Sequence, residues 1–214
     1  MQGFIEGFNN FFNGNTGRTV SAFIALILIM AISGLFFKRN KSTKMLSYIA
    51  VCLAMAAIFS MFTIYQMPQG GSVKILNMLF ISLIGYFFGP AAGIIGGATY
   101  GFIDLALKPY VVHPVQLFLD YSIAYGALGL SGFFRNKKLG LHTGFIVGAI
   151  VRGVISTISG VIFFAENRGD LNVWIYSSYY NFSYILPEMA ITCVVLAVPV
   201  FFKAVERVKA AANS

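Results

Sequence analysis

Apolar stretches of membrane-crossing length alternate with short polar connectors, near 19–37, 45–65, 74–89, 91–108, 114–134, 141–165 and 175–202. A helix needs about 20 mostly apolar residues to cross the hydrocarbon core of a bilayer. Within that core every backbone N–H and C=O must find a partner inside the protein, which a helix provides by itself. The pattern predicts an all-α integral membrane protein with seven spans. The third and fourth are short and separated only by Gly89-Pro90, so six spans is the alternative. The leader Met1–Gly17, rich in Phe, Asn and Gly, reads as interfacial or disordered. Span one carries no charge, and its only polar residues are Thr19, Ser21 and Ser33. The chain therefore divides into a leader with an extra anchor (1–44), a six-helix core (45–202) and a basic tail (203–214). The anchor is no signal peptide: Glu6 precedes it, no small-residue cleavage pattern follows, and it ends in Lys38-Arg39-Asn40-Lys41.

Composition agrees with one membrane domain and not a soluble core: 58% of residues are hydrophobic, 10% are charged and the mean hydropathy is +0.79. A net charge of +8 invites a nucleic-acid reading, which the placement of the charge rejects. Lys38, Arg39, Lys41 and Lys44, then Arg135, Lys137 and Lys138, then Lys203, Arg207 and Lys209 fall on one side of a seven-span chain. The other side holds Arg18, Lys74, Lys108 and Arg168, partly offset by Glu6, Glu166 and Asp170. By the positive-inside rule the N-terminus is outside and the C-terminus cytoplasmic. Cys52 and Cys193 lie in apolar runs as packing residues and imply neither a disulfide nor a metal site. No G-x-x-x-x-G-K-[ST] loop occurs, so nucleotide hydrolysis by that route is excluded.

Asp104, Asp120, Arg152 and Glu188 are the ionisable residues placed within apolar segments. A charge at bilayer depth costs roughly 2.5–3.5 kcal/mol on insertion scales, so it usually lines a cavity or pathway. Three acids against one base favour a cation. With depth counted at about 1.5 Å per residue, these groups gather with Tyr121, Ser156, Thr157, Phe164, Tyr176, Tyr179, Tyr180 and Asn181 in the outer half. Connectors 67–74 and 166–173 can cover them. Aromatic faces attract a flat organic cation, and a desolvated carboxylate adds a counter-charge. Structural alternatives stand beside this: Asp104 pairing with Lys108 one turn on, and Arg152 pairing with Glu188. Asp120 has no cation nearby in sequence. Gly89, Gly93, Gly97 and Gly101 recur every fourth residue, as do Gly140, Gly144 and Gly148, and predict close helix contacts. Ala50 and Ala54 give a small-xxx-small step on span two. His113 and His142 fall at span edges, with no metal-like spacing and no catalytic role.

The stretches MPQGGSV (67–73), YVVHPVQLFLDY (110–121), SGVIFFAE (159–166) and NVWIYSSYYN (172–181) resemble the thiamine-specific substrate-binding (S) component of energy-coupling factor transporters. The similarity spans about 45–202 and leaves out the N-terminal anchor. It implies a six-helix S-component-like core with an extra N-terminal transmembrane helix, in the plasma membrane of a bacterium. It implies capture of thiamine outside the cell. A transmembrane coupling protein and two ATPases would then drive release inside, with toppling in the membrane. The chain itself would hold no cofactor, since its partners use the ATP. Ala50 and Ala54 match the family's docking motif. Asp120 matches the acid for the cationic vitamin, with Tyr121 beside it. Tyr176 and Asn181 match the last core helix, and Tyr100 and Phe164 fall where many members stack tryptophans on the ligand. Two positions depart from the family. Ser156 stands where a histidine follows the span-six arginine, and Asp104 where a neutral residue or histidine is expected. A related pyrimidine, thiazole or other cationic precursor is the alternative ligand. Readings from outside this class are a proton-coupled carrier using Asp104, Asp120 and Glu188, an intramembrane hydrolase, and an assembly protein.

Overall fold

The computed structural model describes residues 2–36 and 42–214. The basic residues Lys38, Arg39 and Lys41 lie outside the described residues. Helices α1 (Gln2–Asn13) and α2 (Asn15–Phe36) precede α3 (Ser42–Met61). A hairpin of β1 (Thr63–Gln66) and β2 (Ser72–Lys74) leads into α4 (Asn77–Phe88) and α5 (Pro90–Leu107). A composite helix fills Pro114–Phe134. It opens as α6 (Pro114–Leu117), widens to π-helix over Phe118–Ile123, returns as α7 (Ala124–Ala127) and tightens to 3-10 over Leu128–Phe134. Then come α8 (Gly140–Phe163), α9 (Val173–Ala197) and α10 (Pro199–Asn213). Among the described residues five helices are long and apolar enough to cross a membrane: α3, α5, the composite helix, α8 and α9.

The third apolar stretch departs from the expected span. Helix α4 has 12 residues, a rise of about 18 Å at 1.5 Å per residue. A hydrocarbon core of about 30 Å is longer than that. Strand β2, which precedes α4, has all three of its residues buried. It pairs antiparallel with β1 through Thr63↔Lys74, Tyr65↔Val73 and Gln66↔Ser72. Strand pairing supplies the backbone partners that a helix would otherwise supply. Between α4 and α5 the chain reverses at Gly89, whose φ of 98° belongs to the region that favours glycine.

The glycine faces are where helices meet backbone to backbone. A Cβ at Gly97 or Gly101 would run into the carbonyl oxygens of Tyr125 and Tyr121. The α5 ridge therefore lies directly on the composite helix and fixes the height of Asp120 against α5. At the opposite end of the bundle the seventh apolar stretch does not run on unbroken. It ends at Ala197, and Pro199 starts a separate helix. Helix α10 is held there by the hydrogen bond of Tyr86 Oη to Glu206 (2.6 Å) and by Lys209, which donates to the Arg135 carbonyl. The Lys209 ammonium also sits 3.8 Å from the Tyr86 ring centre. The leader is ordered, with no buried residue in its helix. It is helix α1, and Asn9 and Asn13 bond to the chain at Val111 and Val112.

Candidate functional site

At the hairpin end of the bundle, helices α5, α8, α9 and the composite helix surround a cavity of about 100 Å³. A single water needs only about 10–15 Å³, so this is a chamber and not a packing defect. Asp104, Asp120, Tyr121, Arg152, Ser156, Phe164, Tyr176 and Asn181 all line it.

Asp120 stands in the π-helical stretch. Such widened turns turn side chains out of the ordinary helical register and recur at functional sites. Gln116, one turn earlier, donates from Nε2 to Asp120 Oδ2 at 2.8 Å. Among the described residues no cation forms an ion pair with Asp120. Its neighbour Tyr121 lines the cavity while its hydroxyl is used in the wall. It accepts from the Tyr110 N–H at 2.9 Å and reaches the Lys108 carbonyl at 3.2 Å. The Tyr110 and Phe164 rings stack nearly parallel, 20° apart with centres 6.1 Å apart.

Asp104 is placed quite differently. Its carboxylate accepts from Lys74 Nζ at 2.9 Å and from Tyr125 Oη at 2.6 Å, all buried. Lys74–Asp104 is the one ion pair among the described residues. The expected partner, Lys108, instead bonds Thr63 Oγ1 at 3.0 Å and the Ser60 carbonyl at 3.4 Å, tying the hairpin base to the end of α5. Lys74, read from the sequence as a connector charge, is thus a wall residue.

The alternative pairing of Arg152 with Glu188 is not formed. The Arg152 guanidinium lies 4.0 Å over the Tyr125 ring centre. Glu188 Oε1 accepts from the Met78 N–H at 2.7 Å. That N–H belongs to the first turn of α4, which has no side-chain cap of its own. An acid at a helix N-terminus satisfies an orphan donor and the helix dipole together. Glu188 is engaged there and does not line the cavity. The lining charges are therefore Asp104 and Asp120 against Lys74, Lys108 and Arg152. This corrects the excess of acids inferred from sequence. Any preference for a cation rests on Asp120 alone.

Tyr100 is also displaced from its expected position. It is fully buried and absent from the lining. One step round α5 from Gly101, it points toward α3 and α4, where its hydroxyl meets Asn77 Nδ2 at 2.6 Å. Its ring packs edge-on against Tyr125, centres 5.0 Å apart, so Tyr100 braces the wall from behind.

The hairpin loop closes over the chamber. Gln69 donates from its side chain to Tyr176 Oη at 2.8 Å and from its backbone to Tyr180 Oη at 2.9 Å. Gly71 lies so close to the Tyr184 ring that a Cβ there would come within 2.6 Å of it. Asn181 organises the α8–α9 wall. Its amide nitrogen donates to the Ser156 carbonyl at 3.2 Å, and its oxygen accepts from Tyr184 Oη at 2.8 Å. Sequence reasoning missed Gln116 and Lys74. The spacing of four residues between Gln116 and Asp120 was a usable signal, whereas nothing local marks Lys74. Among the described residues no group of three or more His, Cys, Asp or Glu side chains could hold a metal ion.

A family model described as "thiamine transporter protein" matches residues 46–207. The thiamine transporter ThiT of Bacillus subtilis (strain 168) is 34% identical over 176 residues, covering 74% of this chain and 91% of that protein. ThiT of Lacticaseibacillus paracasei is 31% identical over 120 residues, covering 48% of this chain and 60% of its own. Among solved structures, ThiT of Listeria monocytogenes covers 76% of this chain and 99% of its own with a TM-score of 0.61. At 21% identity that likeness speaks for the fold.

Proposed function

Because this chain belongs to the thiamine transporter protein family, we propose that its covered cavity captures thiamine, with Asp120 as counter-charge to the cationic ring. It is a multi-pass membrane protein. The observation that carries the reading is a carboxylate lining an aromatic-walled chamber with no cation among the described residues paired to it. A half-buried acid in a protein cavity attracts a cationic ligand more strongly than a fully exposed one does. Phe164, Tyr121, Tyr176 and Ser156 shape the space around the rings, Asn181 and Arg152 fix its walls, and the hairpin covers it.

The chain works as the substrate-binding subunit of an energy-coupling factor transporter, with no ATPase or cofactor of its own. Ala50 and Ala54 are exposed on α3 and form the docking step for a transmembrane coupling protein served by two ATPases. The cavity faces outside, with the N-terminus there and the C-terminus cytoplasmic, a reading the basic connectors support through the positive-inside rule. Core 45–202 carries capture, and 1–44 and 203–214 are additions to it. A proton relay through Asp104, Asp120 and Glu188 is not favoured, because two of the three acids are already bonded within the protein.

Calorimetry on purified protein with thiamine and its separate pyrimidine and thiazole halves tests the ligand. Tight binding of thiamine with much weaker binding of either half supports the reading. Preference for one half alone would replace thiamine by that precursor. For the partner, Ala54→Arg should abolish ATP-driven uptake in reconstituted vesicles and leave binding intact. Equal loss of both would return Ala54 to core packing.

A further inference from the structure

Helices α1 and α2 precede the stretch matched by the family model, which starts at residue 46. They nevertheless reach the cavity acid through a continuous path. Asn13 makes a reciprocal pair with Val111: its Nδ2 donates to the Val111 carbonyl at 2.9 Å, and its Oδ1 accepts from the Val111 N–H at 2.9 Å. Asn9 Nδ2 donates to the Val112 carbonyl at 2.7 Å. The Val112 N–H donates in turn to Gln116 Oε1 at 3.3 Å. Gln116 Nε2 completes the path, at 3.3 Å from the Tyr110 carbonyl and 2.8 Å from Asp120 Oδ2.

An independent apolar contact runs beside this path. Ala25 of α2 is buried in one cluster with Phe102, Leu105, Val111, Leu117 and Tyr121, and Phe8 and Phe12 of α1 pack against it. Leu117 and Tyr121 flank Asp120 in the composite helix, so the N-terminal helices press on both sides of the turn that carries the acid. An amide side chain has both a donor and an acceptor, and its orientation is set by which neighbours take each. With Oε1 held by Val112, Gln116 can only present Nε2 to the carboxylate.

We infer that the N-terminal helix α1 is a positioning element of the binding site. Asn9 and Asn13 fix the 110–113 connector, the connector orients Gln116, and Gln116 aims Asp120 at the cationic part of the ligand. The inference rests on thiamine capture at this cavity. Asn9 and Asn13 touch no ligand and act only through Gln116.

The test uses the full chain carrying Asn9→Ala and Asn13→Ala together; Asn13 is exposed and Asn9 half-buried, and neither belongs to the buried core of the bundle. Two ligands are titrated: thiamine, and an isostere whose thiazolium is replaced by an uncharged ring. Losing these hydrogen bonds should weaken thiamine about tenfold and the neutral isostere less than about twofold. In a Gln116→Ala background the same pair of substitutions should add nothing, because coupled residues are not additive. Amide hydrogen exchange of the ligand-free protein should quicken over 110–117 in the double variant and stay unchanged across α8 and α9. Equal weakening of both ligands, or full additivity with Gln116→Ala, reduces α1 to scaffold and overturns the inference. Unchanged exchange over 110–117 overturns it without reference to any ligand. Wild-type protein that fails to bind thiamine, with exchange quickened as expected, overturns the functional reading and with it the aiming of Asp120 at that ligand.

Discussion

Asp104 and Asp120 line the same chamber, yet the protein treats them in opposite ways. On the wall built from β2, α5 and α7, Asp104 is met by an ammonium and a phenol, so its charge is spent inside the protein. In the π-helical stretch, Asp120 accepts from the neutral Gln116 amide and has no ion-pair partner among the described residues. Asp120 is half-buried at the cavity wall, and burying a carboxylate without a charged partner is costly. The first wall ties the hairpin to α5, and the second is the one to which the proposed thiamine site assigns the ligand. Acids at bilayer depth are therefore not equivalent evidence for a binding site: what they are bonded to decides.

The largest effect expected from this contrast is on Asp120→Asn. The substitution keeps the shape and the contact with Gln116 while removing the counter-charge. Breaking a buried charge pair on one side costs about 3–5 kcal/mol, roughly two to three and a half decades in affinity. Thiamine binding measured by calorimetry should fall by that much with the unfolding temperature nearly unchanged. Wild-type-like affinity would make Asp120 a structural acid like Asp104 and erase the distinction.

Lys74→Met should do the reverse, acting first on stability. It strands the Asp104 carboxylate, at a cost of about 3 kcal/mol, the lower end of the usual range because Tyr125 still donates to it. Adding Asp104→Asn removes the stranded charge and should recover most of the loss in a thermal-unfolding assay. A single variant as stable as wild type would show that the pair holds nothing together.

How much of this was legible beforehand follows the range of the interactions. The apolar pattern marked all five long helices and the glycine ridge of α5, because each is a property of neighbouring residues. It also brought Asp120, Tyr121, Ser156, Phe164, Tyr176 and Asn181 to one end of the bundle. What it missed depends on contacts between distant segments. Lys74 and Asp104 are 30 residues apart, and a nearer lysine at 108 offered a plausible local pair. Glu188 caps a helix that begins 111 positions earlier in the chain, at Asn77. Tyr100 lies on the same helix as Asp104, but its orientation follows from the glycine ridge beside it, which turns it away from the chamber. The hairpin that precedes the short helix α4 was hidden for a related reason. Ser72, Val73 and Lys74 are buried by tertiary packing and not by their own hydrophobicity.

The smallest expected effect concerns how the cover is fastened at its two sides. Toward α5 it is held by the Lys74–Asp104 pair, and toward α9 by neutral hydrogen bonds from Gln69. Gln69→Ala removes the bond to Tyr176 and keeps the backbone bond to Tyr180, a loss of about 0.5–1.5 kcal/mol. The hydroxyl left behind faces the cavity mouth and can be solvated, which argues for the lower half of that range. If this side is the one that opens, the loss falls on the closed state alone. Thiamine should then dissociate about two- to fivefold faster in stopped-flow fluorescence, with little change in unfolding temperature. Tyr176→Phe removes the same bond from the other partner and should match it, and combining the two should add nothing further. An unchanged dissociation rate in both would place the moving edge elsewhere, at the ion-paired wall that this comparison assigns to holding still.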